Sequence, residues 1–293
     1  MVSLPKRAMI IAVLALAAIS GCKAKRQEPA IIKDTQGGNA PFISGVGFSD
    51  DGSCWGVARK SLLVMDTGKP CSSLHSTNLP SSTGQVRVAS GLGAIAYTTD
   101  DFKTVVSLDT KNGKELWRSS VDGIGVNGLA VSQKYIAYAV GDGDLFRDTI
   151  RIVERATGRL VLLRVYPLAQ FHVAMGFAET DGHTCIAIAL AKDVEVICGL
   201  GERIQSARRF KATESLFPLD SIALGRDQLA FGSHHFGVRL VCPRNGGSCV
   251  RLPKNGAMHQ SADMALSPDG MYLADVTEGS GYAALYRLAA QTP

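Results

Sequence analysis

Three polar stretches of this chain carry residue types that could do chemistry. GDGDLFRD (Gly141–Asp148) offers three aspartates as oxygen ligands, at a spacing that only partly matches a calcium-binding loop. The adjacent pair His234–His235 would point to opposite faces of a strand and could not easily share one metal ion. ERIQSARRFK (Glu202–Lys211) is basic, and on an outer strand such charges prevent edge pairing. We interpret these stretches as hairpin tips or edges and predict no catalytic residue, metal or cofactor.

The N-terminal region is typical of an export signal. Two positive residues precede an unbroken apolar run, Ala8–Ile19, which is shorter than the about 20 residues that span a bilayer. The following AISGC (Ala18–Cys22) resembles the bacterial lipobox, in which the cysteine is diacylated and becomes N-terminal after cleavage. A signal peptide over 1–21 and lipidation at Cys22 are therefore predicted. The alternative is a plain signal peptide with a chance cysteine.

The residue after the lipidated cysteine and the net charge bear on location and partners. Lys23 is not the aspartate that resembles an inner-membrane retention signal in enteric bacteria, which favours the periplasmic face of the outer membrane. Removal of residues 1–21 takes away two positive charges and no acids, which lowers the net charge from +5 to +3. A charge this weak and dispersed, on an exported chain, argues against nucleic acid as a partner.

A repeated pattern follows a polar tether at 22–40. Over residues 41–290, four short segments recur every 40–50 residues: an apolar strand with a turn such as SPDG, a strand that alternates large and small residues, a third strand with an NG- or TG-type turn, and a more polar fourth strand. Four short strands at this period are typical of β-propeller blades. The sequence predicts an all-β fold, a β-propeller of about six blades.

The sixth repeat has three strands, so one edge is missing. The apolar island AIIK (Ala30–Lys33) is the candidate for the missing strand, because closing the ring would remove an exposed sheet edge. The alternative is that this segment is disordered tether.

An even number of cysteines remains once Cys22 carries lipid, which in an exported chain predicts disulfides. The predicted pairs are Cys185–Cys198, Cys242–Cys249 and Cys54–Cys71. Each of the first two pairs flanks a hairpin turn, whereas Cys54 and Cys71 are the two cysteines left over and are paired by default.

Two repeat families resemble parts of this pattern. SLDTKNGKELW (Ser107–Trp117) is similar to the quinoprotein-like repeat, in which a turn precedes a tryptophan that packs between blades, and SPDG looks like the turn of WD-type propellers. The quinone-dependent enzymes of that superfamily use a vicinal cysteine pair, which this chain lacks. The lipidated propeller subunit of the outer-membrane β-barrel assembly machine is also similar, but it has eight blades, so none of its binding residues is carried over.

The turns between the second and third strands carry aromatic residues in several repeats, and in propellers these turns emerge on one face. A rim of aromatic and charged side chains resembles the composition of a protein-binding surface. The alternative is that each ring caps its own hairpin. The predicted protein-binding residues are Asp101, Phe102, Phe146, Arg147, His235, Phe236 and Tyr282.

These observations predict a non-enzymatic, protein-binding scaffold whose partner is a cell-envelope protein and whose only membrane contact is the lipid anchor. Two alternatives remain. One is an immunity lipoprotein that neutralises a secreted antibacterial effector. The other is a hydrolase or lyase with a site at the propeller axis.

Overall fold

The computed structural model describes the strands and most of the turns between them. The described residues are 30–32, 43–48, 54–58, 61–65, 74–78, 88–91, 94–99, 101–109, 114–141, 147–166, 173–180, 182–190, 193–202, 204–211, 219–233, 238–246, 248–252, 261–277 and 283–288.

The described strands form six four-stranded antiparallel sheets, which are the blades of a β-propeller. Blade 1 contains β2 (Ile43–Phe48), β3 (Cys54–Ala58), β4 (Ser61–Met65) and β5 (Leu74–Asn78). Blade 2 contains β6 (Val88–Gly91), β7 (Ala94–Thr98), β8 (Thr104–Leu108) and β9 (Glu115–Ser120). Blade 3 contains β10 (Gly125–Val131), β11 (Tyr135–Gly141), β12 (Asp148–Glu154) and β13 (Leu160–Tyr166).

The remaining blades follow the same order from the inside outwards, except for the outer strand of the last. Blade 4 contains β14 (Met175–Thr180), β15 (His183–Leu190), β16 (Asp193–Cys198) and β17 (Ser206–Lys211). Blade 5 contains β18 (Ser221–Leu224), β19 (Gln228–Ser233), β20 (Val238–Pro243) and β21 (Val250–Arg251). Blade 6 contains β22 (Ser261–Leu266), β23 (Tyr272–Thr277), β24 (Ala283–Arg287) and β1 (Ala30–Ile32).

The innermost strands close a ring. Each first strand contacts the first strand of the next blade, and β22 of blade 6 contacts β2 of blade 1. In blade 6 the outer position is held by β1, which pairs antiparallel with β24 so that Ala30 lies opposite Leu285. The sheet of the sixth repeat is thereby four-stranded like the others.

The core lies between blades. In blades 2 to 5, where burial is described, the second strands β7, β11, β15 and β19 are buried almost along their whole length, because neighbouring blades cover both faces of these sheets. Alanines on these strands allow the close approach of adjacent sheets: Ala96, Ala137 and Ala187 are fully buried. The outer strand β9 is mostly exposed.

Aromatic residues lie beneath the turns of the following blade. Trp117 of β9 packs against the cluster between blades 2 and 3, as the repeat motif predicts. The turn after β12 covers its indole ring so closely that a Cβ at Gly158 would overlap it. In the next blade the hydroxyl of Tyr135 donates a hydrogen bond to the carbonyl oxygen of Leu200, 2.9 Å away.

Two of the predicted disulfides are confirmed. Cys185 and Cys198 lie directly opposite each other on β15 and β16, and Cys242 is bonded to Cys249 across the turn after β20. Cys71 lies outside the described residues, so its pairing with Cys54 stays a prediction, as does lipidation of Cys22. No helix among the described residues is long and apolar enough to cross a membrane.

Candidate interaction face and axial cavity

Three of the seven predicted protein-binding residues lie in the described part of the chain. They are Asp101 and Phe102, in the turn between β7 and β8, and Arg147, which precedes β12. Phe146, His235, Phe236 and Tyr282 lie outside the described residues. The geometry of the predicted face is therefore defined at the seam between blades 2 and 3.

Asp101 stabilises its own turn. Its Oδ1 accepts hydrogen bonds from the Thr99 hydroxyl at 2.6 Å and from the backbone N–H of Lys103 at 2.9 Å. These two bonds, the hydroxyl first, lower the pKa of the Asp101 carboxyl. The carboxylate is nonetheless exposed, so it remains a fixed negative charge on the surface.

Phe102 joins its turn to the next blade. It has a positive φ of 58°, unusual for a bulky residue, and its carbonyl oxygen accepts the N–H of Val126 in β10 at 2.8 Å. The carbonyl oxygen of Lys103 accepts the N–H of Val121 at the same distance. The Phe102 side chain is half-buried beside Gly125, so the turn is held rigidly against the connection into blade 3.

Ile124 is the residue of this surface that the sequence interpretation missed. Its side chain is 61% exposed, the highest value among the described large hydrophobic residues on the surface. It lies between Gly123 and Gly125, whose φ angles of 97° and 120° are favourable only to glycine, and it covers Gly141. A β-branched residue between two glycines in a connection was the signal that could have revealed it.

Polar contacts fix the blade 3 side of this surface. Arg147 is exposed, and the neighbouring Asp148 is buried and accepts a hydrogen bond from the Asn127 side chain at 2.5 Å. The carbonyl oxygen of Asn127 in turn accepts the N–H of Val173, which enters blade 4. We define the blade 2–3 surface as the following five residues. They are Asp101, Phe102, Asp122, Ile124 and Arg147.

A cavity of about 230 Å³ lies on the propeller axis. It is lined by the inner strands β10, β14, β18 and β22, by the turns that follow β18 and β22, and by Phe48 from β2. Gly125, at the start of β10, lies opposite Gly141 and beside the blade 2–3 surface. The cavity is lined by Leu129–Val131, at the other end of β10, so it lies at the end of the ring away from that surface. Cavity and surface are therefore separate sites.

Asp263 on β22 is the most unusual titratable group of the cavity wall. Its Oδ2 accepts the N–H of Val46 at 3.0 Å, which joins the last blade to the first, and its Oδ1 accepts the N–H of Met264 at 2.9 Å. The side chain is half-buried and contributes to the cavity wall. Burial raises the pKa of Asp263 to about 7, against the effect of both N–H donors, and the nearby Asp275 adds to the rise.

Asp275 itself belongs to a buried ion pair. Arg239 of β20 donates to its carboxylate across the boundary of blades 5 and 6, and the two side chains are 1% and 0% exposed. A buried pair of this kind fixes the relative position of the two blades, because moving them apart would leave each charge buried without its partner, which is strongly destabilising.

The described residues offer little for metal chemistry. Among them, no group of three or more His, Cys, Asp or Glu side chains could hold a metal ion. Most of Gly141–Asp148 and the pair His234–His235 lie outside the described residues. The basic segment forms outer strand β17, where Arg208 lies over the Phe210 ring at 5.9 Å.

Comparison with known proteins shows the fold. No protein-family model and no curated protein matches the chain. The β-propeller domain of Cps50 (Swd1) from Myceliophteria thermophila superposes with a TM-score of 0.60 at 10% identity, over 89% of this chain and 100% of that one. Kluyveromyces lactis Hsv2 superposes with a TM-score of 0.53 at 18% identity, over 85% of this chain and 75% of that one. The WD40 repeats of RRP9 superpose with a TM-score of 0.55 at 13% identity, over 89% of this chain and 98% of that one. The predicted all-β propeller is confirmed, and its structural neighbours are WD-type propellers.

Proposed function

We propose that this protein is a non-enzymatic scaffold that binds a cell-envelope protein through the blade 2–3 surface. The observation that carries the proposal is a 61% exposed isoleucine held beside charged groups by rigid backbone. An apolar centre with a charged rim is the usual composition of a protein interface. Since the turns are already fixed by interblade hydrogen bonds, little conformational entropy is lost on binding.

The proposed lipid anchor determines how the scaffold is presented. Cys22 precedes Ala30 by eight residues, so an extended chain places the outer edge of blade 6 within about 30 Å of the bilayer. In a ring of six blades, blade 3 lies across the axis from blade 6. The blade 2–3 surface then lies on the far side of the ring from the anchored edge, where a partner on the periplasmic side of the outer membrane can reach it.

The interaction is tested by crosslinking the tagged protein in intact cells. Ile124→Asp should abolish capture of the partner, and Phe102→Asn should weaken it while keeping a residue that tolerates positive φ. Val250→Asp is the matched control, because Val250 is also β-branched and 56% exposed but lies on β21 of blade 5. Equal capture by the wild type and Ile124→Asp would refute this surface.

The identity of the captured protein separates the scaffold from its alternatives. An outer-membrane assembly or transport component supports the scaffold. A single secreted toxin would make the protein an immunity lipoprotein instead. Recovery of no specific protein would contradict both roles.

The anchor has its own test. Metabolic labelling with palmitate should mark the wild type in the outer-membrane fraction, whereas Cys22→Ala should be unlabelled and released from that fraction. Labelling that persists in Cys22→Ala would place the modification elsewhere and remove the basis for the presentation described above.

A further inference from the structure

The axial cavity combines an apolar wall with a carboxylate that has remaining hydrogen-bonding capacity. Leu129, Met175 and Leu224 supply apolar wall from three successive blades, and Asp263 lies in the same wall. A carboxylate can accept about four hydrogen bonds, and the described donors to Asp263 are two backbone N–H groups. Binding pockets for small molecules typically have this form, a mostly apolar cavity with few polar groups.

No positively charged side chain on the described neighbouring strands is left to balance the charge of Asp263. Its own strand β22 carries no other charged residue, and the facing strands β2 and β18 carry none. The adjacent β23 contributes Asp275, whose charge is already matched by Arg239. Elsewhere on the cavity wall, Glu179 accepts hydrogen bonds from the Thr184 hydroxyl, and Arg226 lies in the exposed turn after β18.

The size of the cavity limits the ligand. A cavity of about 150 Å³ holds benzene, so about 230 Å³ accommodates a ring or short chain with one polar group. An anion would meet two carboxylates, Asp263 and Glu179, and the only arginine among the described lining residues, Arg226, lies in the exposed turn. An ammonium group instead supplies the donors that a carboxylate in apolar surroundings needs.

We propose that the axial cavity binds a small organic cation, whose ammonium group is held by Asp263 and whose apolar body packs against Leu129, Met175 and Leu224. This site goes beyond the scaffold function, because it lies at the other end of the ring from the blade 2–3 surface. The ligand class is a monoamine of about ten non-hydrogen atoms or fewer, in keeping with the cavity volume.

The test compares a charged and a neutral probe of nearly the same shape. Benzylammonium and benzyl alcohol are titrated into the folded protein by calorimetry at pH 8 and pH 5.5. Benzylammonium should bind at least tenfold more tightly at pH 8, because Asp263 is ionised there and the probe keeps its charge at both values. The affinity of benzyl alcohol should change less than twofold.

Two variants locate the binding. Asp263→Asn keeps an oxygen for the Val46 N–H and should lose at least tenfold in benzylammonium affinity, with little change for benzyl alcohol. Ala265→Leu, which fills the cavity without touching the charge, should remove binding of both probes. It also keeps the proposal testable if Asp263→Asn does not fold.

Three results would overturn the proposal. The first is that benzylammonium shows no saturable binding to the wild type at pH 8. The second is that folded Asp263→Asn binds benzylammonium as tightly as the wild type does. The third is that Ala265→Leu binds both probes as tightly as the wild type does. Capture of the protein partner by Ala265→Leu should be unchanged, so failure of the cavity site leaves the scaffold function unaffected.

Discussion

At the scale of single residues, the notable groups are charges buried where blades meet. Asp263 accepts the Val46 N–H across the boundary between the last and first blades, and Arg239 pairs with Asp275 between blades 5 and 6. The first carboxylate has no cation beside it among the described residues, whereas the second has one. The two should therefore respond differently to pH and to substitution.

The raised pKa of Asp263 predicts a specific dependence of stability on pH. The folded state holds this proton up to a pKa of about 7, whereas the ordinary value is 3.8. Between these values the native state binds more protons than the unfolded state, so this group makes the free energy of unfolding fall as pH rises. The loss is complete above about pH 7 and absent well below pH 4.

Asp263→Asn removes this titration. The free energy of unfolding of the wild type, minus that of the variant, should fall by about 2–3 kcal/mol between pH 5 and pH 8, as measured by urea unfolding. Other carboxyls such as Glu115 and Glu154 have lowered pKa values and act in the opposite sense, but they cancel in this difference. A difference that is the same at both pH values would contradict the prediction.

At the scale of elements, the described turns that follow the third strands of blades 3, 4 and 5 lie against the preceding blade. Arg155 and Arg244 occupy equivalent positions at the start of these turns in blades 3 and 5. Arg155 donates to the carbonyl oxygen of Leu108 in blade 2 at 3.0 Å. Arg244 donates to the sulfurs of Cys185 and Cys198 in blade 4, at 3.1 and 2.7 Å. A repeated element thus makes a repeated contact, although the acceptor differs.

Glycine allows the closest of these contacts. Gly158→Ala should destabilise the protein by about 2–4 kcal/mol, because the new Cβ would overlap Trp117 and the backbone has a φ of 71°. Gly182→Ala is the matched control, with a φ of 81° but no atom near the new Cβ, and should cost only about 1–2 kcal/mol. Urea unfolding of both variants measures the difference, and equal losses would show that overlap with the indole ring contributes nothing.

At the scale of the whole molecule, the ring depends on contacts between segments far apart in the chain. β1 supplies the outer strand of blade 6, and Asp263 and Val46 meet across 217 positions. Such contacts contribute after long loops have closed, so they should be late and cooperative in folding.

Deletion of Ala30–Ile32 should therefore leave β24 as an exposed edge and promote self-association. Hydrogen exchange should increase over 283–287 in the monomer fraction, and size-exclusion chromatography should show larger species. Deletion of residues 26–28 is the length-matched control, which retains β1. Unchanged exchange over 283–287 would show that β1 adds no stability to the blade.

Local patterns accounted for much of what was predicted. The 40–50-residue period, the turn residues and the alternation of large and small side chains indicate strands and blades, because each depends on neighbours in sequence. The bonds Cys185–Cys198 and Cys242–Cys249 were predictable for the same reason, since each pair flanks one hairpin turn. Trp117 was placed correctly between blades by its repeat motif.

The candidate sites depended on tertiary structure. Ile124 is exposed in a connection whose backbone is set by the positive φ angles of Gly123 and Gly125. Asp263 has its raised pKa only because the fold buries it where β22 meets β2 and the axial cavity. The repeat pattern determines how each sheet forms, since strand pairing within a blade is local. Which side chains meet between blades, and what cavity the inner strands enclose, is decided by closure of the ring, which joins positions that no local pattern relates.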